Sequence, residues 1–169
     1  PVNQYELTVG YRIPAPLMDV ATKVLVQVAP DLTPPRSVRS EGDAPRFVAT
    51  ELDDPQIGLV QVVKEELQAA GNGNLAVVAA MSQVEEIEEL LTANHVDFGR
   101  PTRTGLDSSI TVVPVGLVKG LAVDAAVVVE PERIVGEQEQ GLRALYVALT
   151  RATKRVAIVH SGPLPEVLR

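Results

Sequence analysis

Four short apolar runs, each rich in Val and Ala, set the tightest limit on what this chain can fold into. They are Leu75–Ala80 (LAVVAA), Ile110–Val113 (ITVV), Ala125–Val129 (AAVVV) and Arg155–His160 (RVAIVH). A strand with one wet face alternates apolar and polar residues. Near-continuous β-branched runs instead predict strands covered on both faces. Between them lie stretches with helical spacing. Pro14–Val28 places Leu17, Met18, Ala21, Val24, Leu25 and Val28 on one stripe. Pro55–Ala70 carries Ile57, Leu59, Val60, Val63 and Leu67 and stops at the GNGN turn of Gly71–Asn74. Ser82, with Glu85 three residues on, reads as a capping box opening a helix that runs to about Leu91. Leu142–Thr150 reads as another helix leading into the last strand. Strands alternating with helices predict an α/β fold with a mostly parallel sheet.

One stretch breaks the alternation. Ala29–Thr50 holds Pro30, Pro34, Pro35 and Pro45, with strand-like pieces at Arg36–Arg39 and Arg46–Ala49 around Gly42. It reads as a small surface hairpin inserted after the first helix. The 169 residues are one domain's worth of chain, and 46% hydrophobic with 22% charged residues is the composition of a globular domain. The absence of cysteine excludes disulfides, thiol nucleophiles and Cys-based zinc sites, and two distant histidines, His95 and His160, give no basis for a metal site. No apolar run reaches the roughly 18 to 20 residues of a bilayer span and no signal-peptide pattern opens the chain, so a cytoplasmic domain with no membrane partner is expected. Fifteen Lys plus Arg against 22 Asp plus Glu gives a net charge of −7. A domain that gripped phosphate backbones alone would be basic, so nucleic-acid contact is expected only locally or through a larger parent protein.

The strings that would make this chain a complete enzyme are missing. There is no GxxxxGK[ST] phosphate loop, no GxGxxG turn after a strand, no GxSxG elbow and no HExxH. What remains are single cations at element ends. Arg12 opens the first helix, Lys119 precedes the AAVVV strand, and Arg151 closes the last helix. In a parallel sheet, ligands gather at strand and helix ends, where such cations could meet a polyphosphate. A structural alternative stands beside this: a cation in the last turn of a helix complements the macrodipole, so Arg151, Lys154 and Arg155 need no ligand. Glu130, ending a hydrophobic strand, reads as a solvated strand end. The run Glu85, Glu86, Glu88 and Glu89 reads as a solvated helix face.

Order and spacing favour the first possibility. GYRIPAPLMDVATKVL (Gly10–Leu25), VKGLAVDAAVVVEP (Val118–Pro131) and GLRALYVALTRATKRVAIVH (Gly141–His160) follow one another as motifs IV, V and VI do. Together they resemble the second RecA-like domain, 2A, of UvrD/Rep-type superfamily 1 helicases. The VVVEP ending, the GLRALYVALTRAT wording and the closing Pro163–Leu164–Pro165 resemble the HelD branch, ATPases that remove and recycle stalled RNA polymerase. The resemblance implies a three-layer RecA-like domain over residues 1–169, cut from a larger protein. It implies that ATP and magnesium lie between this domain and a first RecA-like domain of the same chain, which holds the phosphate loop, metal ligands and catalytic carboxylate. Arg151, in the TRA of motif VI, then matches the arginine finger, and Arg12 a second γ-phosphate arginine. Tyr11 matches the adenine-stacking aromatic, and Lys119 and Gly120 belong to motif V at the nucleotide. A guanidinium suits this role because it stays charged and spans several phosphoryl oxygens. Motif V departs from the family's KGLEFD: Ala122 stands where the ribose-contacting Glu would be.

These features imply a motor half that completes an ATP site in trans, drives displacement of RNA polymerase, and is inactive alone. Two alternatives remain open: the 2A domain of a UvrD-like DNA helicase or translocase, and a non-catalytic partner-binding module that Ala122 would suit.

Overall fold

A computed structural model describes residues 13–31, 44–50, 55–71, 73–100, 109–119, 121–137 and 140–168, with the backbone alone for 55–57 and 167. In chain order the elements are α1 (Ala15–Val28), β1 (Arg46–Ala49), α2 (Pro55–Ala69), β2 (Leu75–Ala79), α3 (Met81–Ala93), β3 (Ile110–Pro114), β4 (Val123–Val129), α4 (Pro131–Glu137), α5 (Gly141–Leu149) and β5 (Ala152–His160). Short 3-10 turns follow at Val115–Leu117 and Glu166–Leu168. The five strands form one sheet in the order β1-β5-β4-β2-β3, and every pairing is parallel.

Alternation within the buried runs explains the three layers. Ala76 and Val78 of β2, with Ala126 and Val128 of β4, face one core together with Leu17, Met18, Ile134 and Leu145 of α1, α4 and α5. Leu75, Val77 and Ala79, with Ala125, Val127 and Val129, face the other, against Leu59, Val63, Ile87 and Leu91 of α2 and α3. Fully burying a Val side chain contributes about 1.5–3 kcal/mol. Strands β2 and β4, apolar on both faces, take the interior of the sheet, while β3, also buried throughout, lies at one edge, where Gly99 pairs with its Thr111. The β1 strand (RFVA) alternates half-buried and exposed residues and lies at the other edge.

That placement corrects part of the sequence reading. Arg46–Ala49 is a sheet strand, aligned from Arg46 against Ala157 to Ala49 against His160. Its expected hairpin partner, Arg36–Arg39, lies outside the described residues. The capping box is also absent. The chain turns directly from β2 into α3 with Ala80 at the N-cap, and Ser82, already inside the helix, donates to Glu137 Oε2 at 2.7 Å. The helix α4 was unforeseen, although Pro131 at its start and Glu132 in its first turn are helix-opening signals. Gly71 ends α2 with φ 73°, as the GNGN turn requires. Between α4 and α5 the chain passes so close that a Cβ on Gly141 would lie 2.1 Å from the Val135 carbonyl oxygen. No helix among the described residues is long and apolar enough to cross a membrane.

Candidate functional site

The amino ends of β4 and β5 bring two of the sequence-derived site segments together. The Val123 N–H donates to the Arg151 carbonyl at 3.2 Å, so the loop carrying Lys119 and the residue closing α5 meet at one edge of the sheet. Lys119 is exposed in the turn after Val118, and Ala122 is exposed just before β4. Arg151 is half-buried. Its Nε donates to the Val147 carbonyl at 3.0 Å and its NH2 group to Thr150 Oγ1 at 3.1 Å. The buried Thr150 hydroxyl in turn lies 3.1 Å from Tyr146 O and 3.0 Å from Val147 O. Arg151 thus folds back on the end of α5, its guanidinium on the Val147 carbonyl that also accepts from the Thr150 N–H, and its own N–H on the Ala148 carbonyl at 3.4 Å. Tyr11, Arg12 and Gly120 lie outside the described residues. Ile13, directly after Arg12, is buried in the same core cluster as Val118, Val123, Leu149 and Ala152.

The edge is held rigid by contacts that sequence reading did not find. Asn74 and Asp124 clamp each other: the Asn74 N–H donates to Asp124 Oδ2 at 3.0 Å, and the Asp124 N–H donates to Asn74 Oδ1 at 2.8 Å. Lys154 Nζ approaches Asp124 Oδ1 at 3.7 Å. The aspartate of motif V and one of the three cations after α5 therefore serve packing. Arg155 does so too. Its Nε lies 2.7 Å from Glu66 Oε2, a carboxylate only 1% exposed, and Arg46 NH1 reaches the other oxygen at 3.4 Å. Arg46 also meets Glu65 at 2.7 Å. That bond to Glu65 raises the Arg46 pKa further above its ordinary value. Hydrogen bonds from Gln61 and then Arg46 hold Glu65 below the usual carboxylate range. Such networks join residues far apart in sequence and leave no local signature.

One further expectation changes. Glu130 is not a solvated strand end: its Oε1 accepts from Ser161 N–H at 2.5 Å and from Ser161 Oγ at 2.9 Å, tying the ends of β4 and β5. In the acidic run Glu85, Glu86 and Glu89 are exposed as expected, and Glu88, 13% exposed, takes both Nε and NH2 of Arg100, at 2.6 and 3.1 Å. His160 Nδ1 lies 2.9 Å from the Gly162 carbonyl. Among the described residues no group of three His, Asp or Glu side chains could hold a metal ion.

Cations at this edge can meet an anionic ligand presented from outside. The described residues contribute the exposed Lys119 and the half-buried Arg151 there. No protein-family model and no curated protein matches the sequence. Solved structures do match the fold. The C-terminal domain of a possible DNA helicase from Lactobacillus plantarum WCFS1 superposes with a TM-score of 0.72 at 21% identity, covering 94% of this chain and 91% of that one. The Sulfolobus solfataricus SWI2/SNF2 ATPase core, solved with double-stranded DNA, superposes at 0.53 with 16% identity over 70% of this chain, which spans 28% of that core. The three-layer, parallel α/β fold is therefore shared with both structures.

Proposed function

We propose that this chain is the second motor domain of a two-lobed ATPase of the HelD kind. ATP bound on a first RecA-like domain would be completed here by Arg151 and Arg12, with Tyr11 against the base and Lys119 and Gly120 beside the nucleotide. The observation that carries this reading is the meeting of the Lys119 loop with Arg151 at the amino ends of β4 and β5. The full-length helicase-domain likeness and the motif order agree with it. Magnesium belongs to the carboxylates of the other lobe, and the bound nucleotide supplies the phosphoryl group that is transferred to water. This chain's part is electrostatic: a guanidinium already oriented by the Val147 carbonyl and Thr150 needs little reordering to meet spreading negative charge. RNA polymerase is the proposed object of the motion, and a DNA strand held by the parent is the alternative.

The test is ATP turnover by the full-length parent with Arg151→Ala. Turnover is expected to fall by about 10³-fold or more, the range for loss of an arginine finger, while the melting temperature stays within a few degrees. Stimulation by RNA polymerase would favour the HelD-like role, and stimulation by single-stranded DNA the UvrD-like one. Unchanged turnover would overturn the motor reading. It would favour the partner-binding module, for which Ala122 in motif V speaks.

A further inference from the structure

At the opposite, carboxyl edge of the sheet lies a cavity of about 530 Å3 that none of the motifs explains. Its size falls in the range of roughly 300–1,000 Å3 typical of small-ligand sites. It opens where β4 and β5 end, and β5 is nine residues long, so it stands about 26 Å from Arg151 at the usual strand rise. It is also beside the point where the topology reverses: β2 continues outward to β3 on one side, while β4 continues to β5 on the other. Crevices beyond the carboxyl ends of strands at such a reversal are where open parallel sheets bind ligands.

We propose that this cavity binds a guanidinium or alkylammonium group carried on an apolar stem. The walls supply the stem's share: Leu59, Ile87, Leu90 and Val159 line it. Among the described residues its lining includes the carboxylates of Glu130 and Glu132 and one cation, Arg133, whose Nε is 3.3 Å from Glu137. Glu130 is held at φ 48°, a left-handed conformation that is costly for a residue with a Cβ. Both Ser161 bonds go to its Oε1, which leaves Oε2 for a donor from the cavity. Independently, Gln83 lines the cavity, is 8% exposed, and its Oε1 has no hydrogen-bond partner. A buried, unpaired amide oxygen is costly, and it stands in the same wall as Glu130. A cationic N–H group entering the cavity would meet Glu130 Oε2. This site does not depend on where ATP acts.

The experiment titrates the isotope-labelled 169-residue chain by NMR with three probes: acetyl-Leu-Arg-Leu-amide, the same peptide with citrulline for arginine, and agmatine. The arginine peptide is expected to shift the Gln83 side-chain amide and the Ser161 backbone amide saturably. The uncharged citrulline peptide should bind at least about tenfold more weakly, the equivalent of one charged hydrogen bond. Glu132→Gln, at an exposed position, should weaken the arginine peptide and leave the citrulline peptide unchanged. Agmatine binding as tightly as the peptide would support the chemistry and assign it to a free cation rather than a partner's side chain. No shift at Gln83 and Ser161 with any probe at millimolar concentration, or equal affinity for the charged and citrulline peptides, would overturn the proposal.

Discussion

Glu66 shows how much one residue can hold together. It projects from α2 with 1% of its side chain exposed and gathers Arg155 of β5 and Arg46 of β1. A buried carboxylate is tolerable only when paired, and removing its charge strands the partly buried Arg155. Glu66→Gln is therefore expected to cost about 1.5–3 kcal/mol, the range for hydrogen bonds to a charged group, read as a lowered urea midpoint with an unchanged slope. Glu65→Gln, at a half-exposed carboxylate that meets Arg46 and Gln61, should move the midpoint far less. Equal losses would place the stability elsewhere. At Gly73 a Cβ would lie 1.9 Å from Asp124 Oδ2, the atom that accepts from Asn74. Gly73→Ala should cost about 1–3 kcal/mol, as overpacking does, and hydrogen exchange at the Asn74 and Asp124 amides should quicken with it.

At the scale of elements, β1 is the exception. Among the described residues it pairs with β5 alone, through four aligned residues, and its Phe47 is 41% exposed. Hydrophobic burial alone gives this strand little, so the Arg46 contacts to α2 matter more here than they would at the centre of the sheet. The pH dependence follows from the direction of the Glu65 shift. Its folded pKa lies below the unfolded one, so its contribution is complete above the ordinary glutamate value and is lost as pH falls through the depressed folded value. Hydrogen exchange at the Phe47 and Val48 amides is expected to speed up across that acidic window, and Glu65→Gln should flatten the change. An identical pH profile in that variant would show that Glu65 does not tie the edge. The central elements behave differently. Strands β2 and β4 and the stripes of α1 and α2 were legible in the sequence because the two-sided burial that forms them is written in consecutive residues. The α4 helix was missed because seven residues leave little periodicity to read, and the pairing of β1 with β5 was missed because four half-buried residues look the same in a hairpin and at a sheet edge.

Over the whole molecule, the order of buried runs and helical stripes determined a three-layer, parallel α/β domain. Each run carries its own two-sided hydrophobicity, and a parallel connection needs a crossover long enough to hold a helix. The candidate nucleotide residues Arg151, Lys119, Gly120, Arg12 and Tyr11 were legible only as motifs in order. Their spacing along the chain says nothing of which sheet edge each occupies, and the backbone bond from Val123 to Arg151 is what joins two of those segments. Tertiary structure alone decided that Lys154, Arg155 and Asp124 are spent on packing, because their partners lie tens of residues away. It alone decided that Glu130 holds Ser161, and that a cavity with an unpaired amide stands at the far end of β5. The physical reason is range. Hydrophobic periodicity acts between neighbours in sequence and survives in the string, whereas a charge or a polar atom acquires its role from whatever the fold brings within about 3 Å of it.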